Sequence, residues 1–197
     1  SFNLEADSLN CSILAEDAVP GTEEFDLFIK EVRKEMTLKC GQRCTGIRRA
    51  LIPERLMEDV QIALGKALAQ TVIGDPQVEG VRMGALAGKS QVAEVRNQIE
   101  KLLKETKMVY GDMHQVKVVG ADADKGAFLS PMVLVNEDPF HSTLVHEVEA
   151  FGPVCTLMPC RNLDEAIVIS KMGKGSLCSS IMTYDDETAR KFVVGAA

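Results

Sequence analysis

The sequence of 197 residues has no tryptophan, two tyrosines and seven phenylalanines. Proteins that grip single-stranded nucleic acid stack bases on aromatics inside a basic groove. Here the formal charge is −7 and no basic run is interleaved with aromatics, which argues against nucleic acid as a partner. No apolar run approaches the ~20 residues of a membrane-spanning helix, so no membrane partner is expected. The six cysteines, Cys11, Cys40, Cys44, Cys155, Cys160 and Cys178, include no CxxC pair. None stands at zinc-site spacing from a histidine, so no metal is expected. In a chain of this size the pattern reads as reduced thiols in a cytoplasmic protein. His114, His141 and His146 are not placed by sequence beside any cysteine, and all three read as surface or loop residues. Asn10-Cys11-Ser12 matches a glycosylation acceptor, but no secretory leader accompanies it and it reads as chance.

Internal repeats, low-complexity runs and Pro/Ser-rich linkers are also missing, so one domain over 1–197 is expected. There is no Gly-x-Gly-x-x-Gly dinucleotide fingerprint. Gly84-Ala85-Leu86-Ala87-Gly88-Lys89-Ser90 has three residues between its glycines where a phosphate loop needs four. It reads as a loop before a helix. The sequence starts Ser1-Phe2-Asn3, with no initiating Met, as though inside a strand. It stops as though inside a helix, and both ends read as cuts in a longer protein.

Alternation is the main positive signal. Short strands are expected over 2–6, 11–14, 47–52, 108–110, 116–119, 128–135, 154–158 and 179–183. Phe25, Phe28, Ile29, Val32 and Met36 recur at helical spacing after the capping residue Thr22. Further helices are expected from Pro53, over 90–106, from Asn162 and from Asp185. Strands alternating with helices predict an α/β fold: a mostly parallel open sheet flanked by helices, with a β excursion around 108–140.

The chemistry centres on Lys39-Cys40-Gly41-Gln42-Arg43-Cys44-Thr45-Gly46. Two glycines bracket Cys44, and glycine permits tight turns. A thiol on such a turn can sit beside free main-chain N–H groups, an arrangement that suits a nucleophile. For an isolated cysteine the competing reading is a buried corner residue. Glu5, at an expected strand end, is a candidate general base; a solvated carboxylate is the alternative. Ligand sites in open α/β sheets gather at the carboxyl ends of strands. In Glu149-Ala150-Phe151-Gly152-Pro153-Val154, Glu149 can accept hydroxyl hydrogen bonds and Phe151 can pack on a flat ring, or both can belong to a plain turn. Arg43, Arg48 and Arg49 read as surface charges, and Cys40 as a packing residue or a resolving thiol.

Taken in order, Glu5, Gly41-Gln42-Arg43-Cys44 and Glu149-Ala150-Phe151-Gly152-Pro153-Val154 resemble the base, nucleophile and cofactor-ribose motifs of the aldehyde dehydrogenase superfamily catalytic domain. Gly74-Asp75-Pro76 and Gly126-Ala127-Phe128-Leu129-Ser130-Pro131 resemble its landmark loops. Glu5-Ala6-Asp7-Ser8-Leu9-Asn10-Cys11 lacks the usual lysine after the base. It is similar to the dehydrogenase half of bifunctional ring-opening proteins of phenylacetate degradation, which act on a CoA-linked semialdehyde. The resemblance implies NAD(P)-dependent oxidation of an aldehyde, with Cys44 and Glu5 catalytic and Glu149 and Phe151 at the cofactor. It implies NADP or NAD held mainly by an absent N-terminal dinucleotide-binding domain. That domain would also supply an Asn side chain to the oxyanion site, and no fused hydratase domain is present. A homo-oligomer is implied too. Two other classes stay open: an isolated oligomerisation module, and a cysteine acyltransferase or hydrolase without a redox cofactor.

Overall fold

The computed structural model describes residues 7–174 and 176–196. Six strands form one sheet: β1 (Cys11–Leu14), β2 (Arg49–Pro53), β3 (Lys107–Tyr110), β4 (Met132–Val135), β5 (Val154–Cys160) and β6 (Ser179–Met182). Their spatial order is β3-β4-β5-β2-β1-β6. Every pairing is parallel except β3 with β4, which is the expected β excursion at one edge. Among the described residues five α-helices accompany the sheet: α1 (Glu23–Thr37), α2 (Met57–Ala69), α3 (Lys89–Leu102), α4 (Leu163–Met172) and α5 (Asp186–Ala196).

The central strands are apolar on both faces, as a doubly covered parallel sheet demands. Ile13, Leu51, Met132, Leu134, Val154 and Met158 point to one side, where α3, α4 and α5 contribute Val95, Ile99, Ile169 and Phe192. Leu14, Ala50, Ile52, Val133, Cys155 and Leu157 point to the other, against Phe25, Phe28 and Val32 of α1 and Val60 and Leu64 of α2. Alternation along a strand therefore divides the core into two clusters.

Some expected strands change. Residues 116–119 form no strand; Val119 makes only an isolated bridge to Gly74. Of 128–135, only Met132–Val135 pairs, since Pro131 has no N–H to donate. The expected strand over 2–6 lies outside the described residues. Helix α1 ends ahead of Gly41, the glycine that would ordinarily stop it. Its last residue is Thr37, and Lys39 and Cys40 take left-handed backbone (φ 52° and 57°) before Gly41 (φ 70°).

The parallel arrangement decides where function can lie. Five strands begin at the same edge, so the segments that precede them converge there. Those before β1, β2, β5 and β6 are Ser8–Asn10, Cys44–Arg48, Glu149–Pro153 and Leu177–Cys178. The candidate nucleophile loop thus sits at the amino edge of the sheet. A 400 Å³ cavity lined by Ile13, Pro53 and Cys160 lies at the opposite, carboxyl edge and carries none of the candidate residues.

Candidate active site

The described residues contain four buried thiols and two exposed ones, Cys44 and Cys178. Burial pushes Cys40 up to about 11 and Cys155 and Cys160 up to about 12, and raises Cys11 as well. Such thiols stay protonated at neutral pH and make poor nucleophiles. Cys40 is further committed, its Sγ lying 3.1 and 3.0 Å from the Gly84 and Ala85 carbonyls. That favours packing over a resolving role. Cys178 is raised by burial first and then by Glu35 and Cys44, and its Sγ lies 3.6 Å from the Thr45 carbonyl. Cys44 is the exposed thiol carried on the turn itself.

Three side chains that the sequence did not single out as site residues hold that turn. Asn10 is buried and donates from Nδ2 to the carbonyls of Cys44 (2.8 Å) and Gly46 (3.0 Å). Its Oδ1 accepts from Ser8 Oγ and from the Leu177 and Cys178 N–H groups. The chance reading of the glycosylation match is thereby explained: this amide is fully engaged inside the protein. Arg48 donates to the Gly41 carbonyl at 2.8 Å and the Arg43 carbonyl at 3.2 Å, so it clasps the turn from below. Gln42 accepts from the Ala87 N–H at 2.8 Å and ties the turn to the segment entering α3. The Cys44 N–H has no hydrogen-bond acceptor among the described residues, leaving it free to donate to an oxyanion.

The expectation that Arg48 and Arg49 are surface charges is wrong. Arg48 forms a buried ion pair with Glu149 (Nε to Oε1 2.9 Å), and the two side chains are 4% and 5% exposed. It also donates to the Gly152 carbonyl, and its guanidinium lies 5.3 Å from the Phe151 ring centroid. Buried charges persist when paired and hydrogen-bonded, and Arg48 has a carboxylate partner and an acceptor for each of its three nitrogens. Arg43 pairs with Glu35 at the loop's outer side.

Arg49 is completely buried and meets no carboxylate among the described residues. It donates to the carbonyls of Leu9, Ile169 and Ser170 and to His146 Nδ1. Ile169 and Ser170 lie in the last turn of α4, whose negative dipole end suits a cation. His146 is therefore no surface residue. Its Nε2 lies 2.7 Å from the Pro139 carbonyl, so that nitrogen carries the proton and Nδ1 accepts from Arg49. Burial lowers its pKa. His141 is exposed beside Asp138, and His114 is exposed on a loop. No imidazole is hydrogen-bonded to Cys44 among the described residues.

Glu149 is brought to the site but is not free. Its Oε1 accepts from Arg48 and its Oε2 from the Ser8 N–H at 3.0 Å. Phe151 is 36% exposed, and its carbonyl lies 3.4 Å from Gln42 Nε2. An exposed ring joined to the Cys44 turn fits a planar cofactor ring. The Glu149 carboxylate fits ribose hydroxyls only through lone pairs left by Arg48 and Ser8. Glu5 lies outside the described residues. No group of three potential metal ligands occurs among the described residues, and no helix there is long and apolar enough to cross a membrane.

Comparison with known proteins agrees with this geometry. The model of the aldehyde dehydrogenase family matches residues 2–195. A 3,4-dehydroadipyl-CoA semialdehyde dehydrogenase from Aromatoleum evansii is 41% identical over 196 residues, covering 100% of this chain and 38% of that protein. Among solved structures, a mutant of aldehyde dehydrogenase C from Pseudomonas syringae with NAD+ and octanal superposes with a TM-score of 0.82 at 24% identity. That match covers 96% of this chain and 37% of the other. Betaine aldehyde dehydrogenase from Staphylococcus aureus with NAD+ gives 0.85 at 20% identity, covering 97% and 36%. The chain thus spans well under half the length of each of these proteins.

Proposed function

The chain belongs to the aldehyde dehydrogenase family, and on that premise we propose that it carries the thiol half of an NAD(P)-dependent oxidation of aldehyde to carboxylic acid. The substrate is a CoA-linked semialdehyde of phenylacetate catabolism. The exposure of Cys44 on a turn locked by Asn10, Arg48 and Gln42 carries this reading.

In this mechanism the Cys44 thiolate attacks the aldehyde carbon, and the carbonyl electron pair moves onto oxygen. The Cys44 N–H donates to that oxygen. An Asn side chain from the N-terminal domain of the longer relatives supplies the second donor. A bound oxidised nicotinamide would supply the hydride acceptor that the reaction needs, and Cys44 would then hold the acyl group as a thioester. Glu5 takes a proton from water as it attacks the thioester, releasing the acid and the thiolate. Phe151 would border the nicotinamide, and Glu149 would accept from its ribose hydroxyls while remaining paired with Arg48. Most cofactor contacts belong to the dinucleotide-binding domain, in the length this chain does not span. Residues 1–197 alone are therefore inactive and serve the homo-oligomer as its catalytic and associating domain.

The test follows NADP reduction with a panel of aldehydes, in this chain and in a polypeptide extended N-terminally to the length of the relatives. Replacing the nucleophile in the extended form, Cys44→Ser, is expected to lower kcat by about a thousandfold or more. Full turnover by Cys44→Ser rejects the nucleophile, and normal turnover by Glu5→Gln rejects the base. Turnover by residues 1–197 alone rejects the missing cofactor domain.

A further inference from the structure

Helix α3 touches the nucleophile turn through the residues that lead into it. The Ala87 N–H donates to Gln42, two residues before Cys44. On another face of the same helix a 560 Å³ cavity opens. Lys89 and Arg96 line it from α3, and His114 lines it from the loop after β3. Lys89 and Arg96 are seven residues apart, two helical turns, and share one face. Val92 and Phe128 form its apolar floor.

Both cations keep donors to spare. Lys89 Nζ donates to the Asp124 carbonyl at 2.7 Å, and Arg96 Nε donates to the Met113 carbonyl at 2.7 Å. The Arg96 Nη groups have no acceptor among the described residues, and an ammonium carries three hydrogens. Nearby acids outside the lining accept hydrogen bonds within their own turns. Asp112 accepts from the N–H groups of His114 and Gln115, and Asp122 from those of Asp124 and Lys125. Asp124 is the one carboxylate lining the cavity. A chain of net charge −7 thus presents a pair of cations on the helix whose entry segment bonds the turn that bears Cys44.

We propose that this cavity binds the phosphate groups of the CoA-linked substrate, with Lys89 and Arg96 as their ligands, while the aldehyde end extends around α3 to Cys44. The inference rests on the CoA-linked reading given above. A guanidinium pairs bidentately with phosphate and an ammonium acts as a point charge, so the two are complementary. The glycine stretch 84–88 is not a phosphate loop. Its part is to deliver α3 with Lys89 at the first helical position.

The phosphomonoester of NADP shares this chemistry, so the experiment separates the two. The protein at the length of its relatives is titrated calorimetrically with CoA, with 3′-dephospho-CoA and with NADP. In the Lys89→Ala/Arg96→Ala double variant, CoA is expected to bind about tenfold or more weakly. NADP affinity and kcat/KM for a CoA-free aldehyde stay unchanged. Removing the 3′-phosphate weakens binding to the parent protein more than to the double variant. Asp124→Asn tightens CoA about threefold, a gain that misfolding cannot produce. Equal CoA affinity in parent and double variant overturns the site while leaving the CoA-linked function intact. Loss of NADP affinity instead of CoA affinity reassigns the cations to the cofactor. A parent protein that oxidises simple aldehydes but binds no CoA rejects the CoA-linked substrate, and the site with it.

Discussion

At the scale of single residues, Arg48 decides more than its position in the sequence suggested. Its guanidinium joins the Gly41 and Arg43 carbonyls of the nucleophile turn to Glu149 and the Gly152 carbonyl of the Phe151 turn. Removing one partner of a buried pair leaves the other charge uncompensated. Arg48→Met is therefore expected to destabilise the protein by about 3–5 kcal/mol, read as a lower urea midpoint. Adding Glu149→Gln should recover part of that loss, and no recovery would mean that the carboxylate is not the partner that matters. The sequence showed Cys44 because two glycines flank it and because its motif is contiguous. It did not show Arg48 or Asn10, since Asn10 reaches the Cys44 and Gly46 carbonyls across 34 and 36 positions and Arg48 reaches the Gly152 carbonyl across 104, which leaves no local pattern.

At the scale of elements, the link between α1 and β2 carries most of the strain. Lys39 and Cys40 adopt left-handed backbone, which side chains with a Cβ disfavour. Gly41 follows with φ 70°, and a Cβ there would collide with the Gly152 carbonyl. Two effects thus oppose any larger residue at 41: conformation, and the close approach of two functional turns. Gly21 has φ 95°, but a Cβ added there would meet nothing within 4 Å. Gly41→Ala is expected to cost several kcal/mol by chemical denaturation, against about 1 kcal/mol for Gly21→Ala. Comparable losses would show that the contact with Gly152 contributes little. The periodicity of α1 located its buried face correctly, with Phe25, Phe28, Ile29, Val32 and Met36 all inside. After Thr37 the chain turns through left-handed backbone at Lys39, Cys40 and Gly41, where Cys40 Sγ meets the Gly84 carbonyl and the Gly41 carbonyl accepts from Arg48.

At the scale of the whole molecule, Arg49 and His146 tie β2, the entry to β1, the end of α4 and the segment before β5 into one unit. The link requires a neutral imidazole, because Nδ1 faces the guanidinium. The other charges acting on the ring are Glu105 and Glu147, which favour its protonation more weakly than burial opposes it. A folded-state pKa below the unfolded value of about 6.5 means that the unfolded chain binds more protons. The contribution is therefore complete above about pH 6.5 and is lost as the pH falls through the lower, folded value. Urea midpoints should drop between pH 7.5 and 5.5, and the drop should shrink in His146→Gln. An equal drop in that variant would assign the acid sensitivity to other groups. The sequence determined the α/β class, the two-sided apolar strands, the helix faces, and the family to which the Cys44 and Glu149 motifs belong. Those features follow from local periodicity and from short motifs read along the chain. Only the tertiary structure decided that Cys44, Asn10, Arg48 and Glu149 meet at the amino edge of the sheet, and that three supposed surface residues are buried. Parallel pairing brings the starts of distant strands together, and burial depends on what the rest of the chain lays over a side chain.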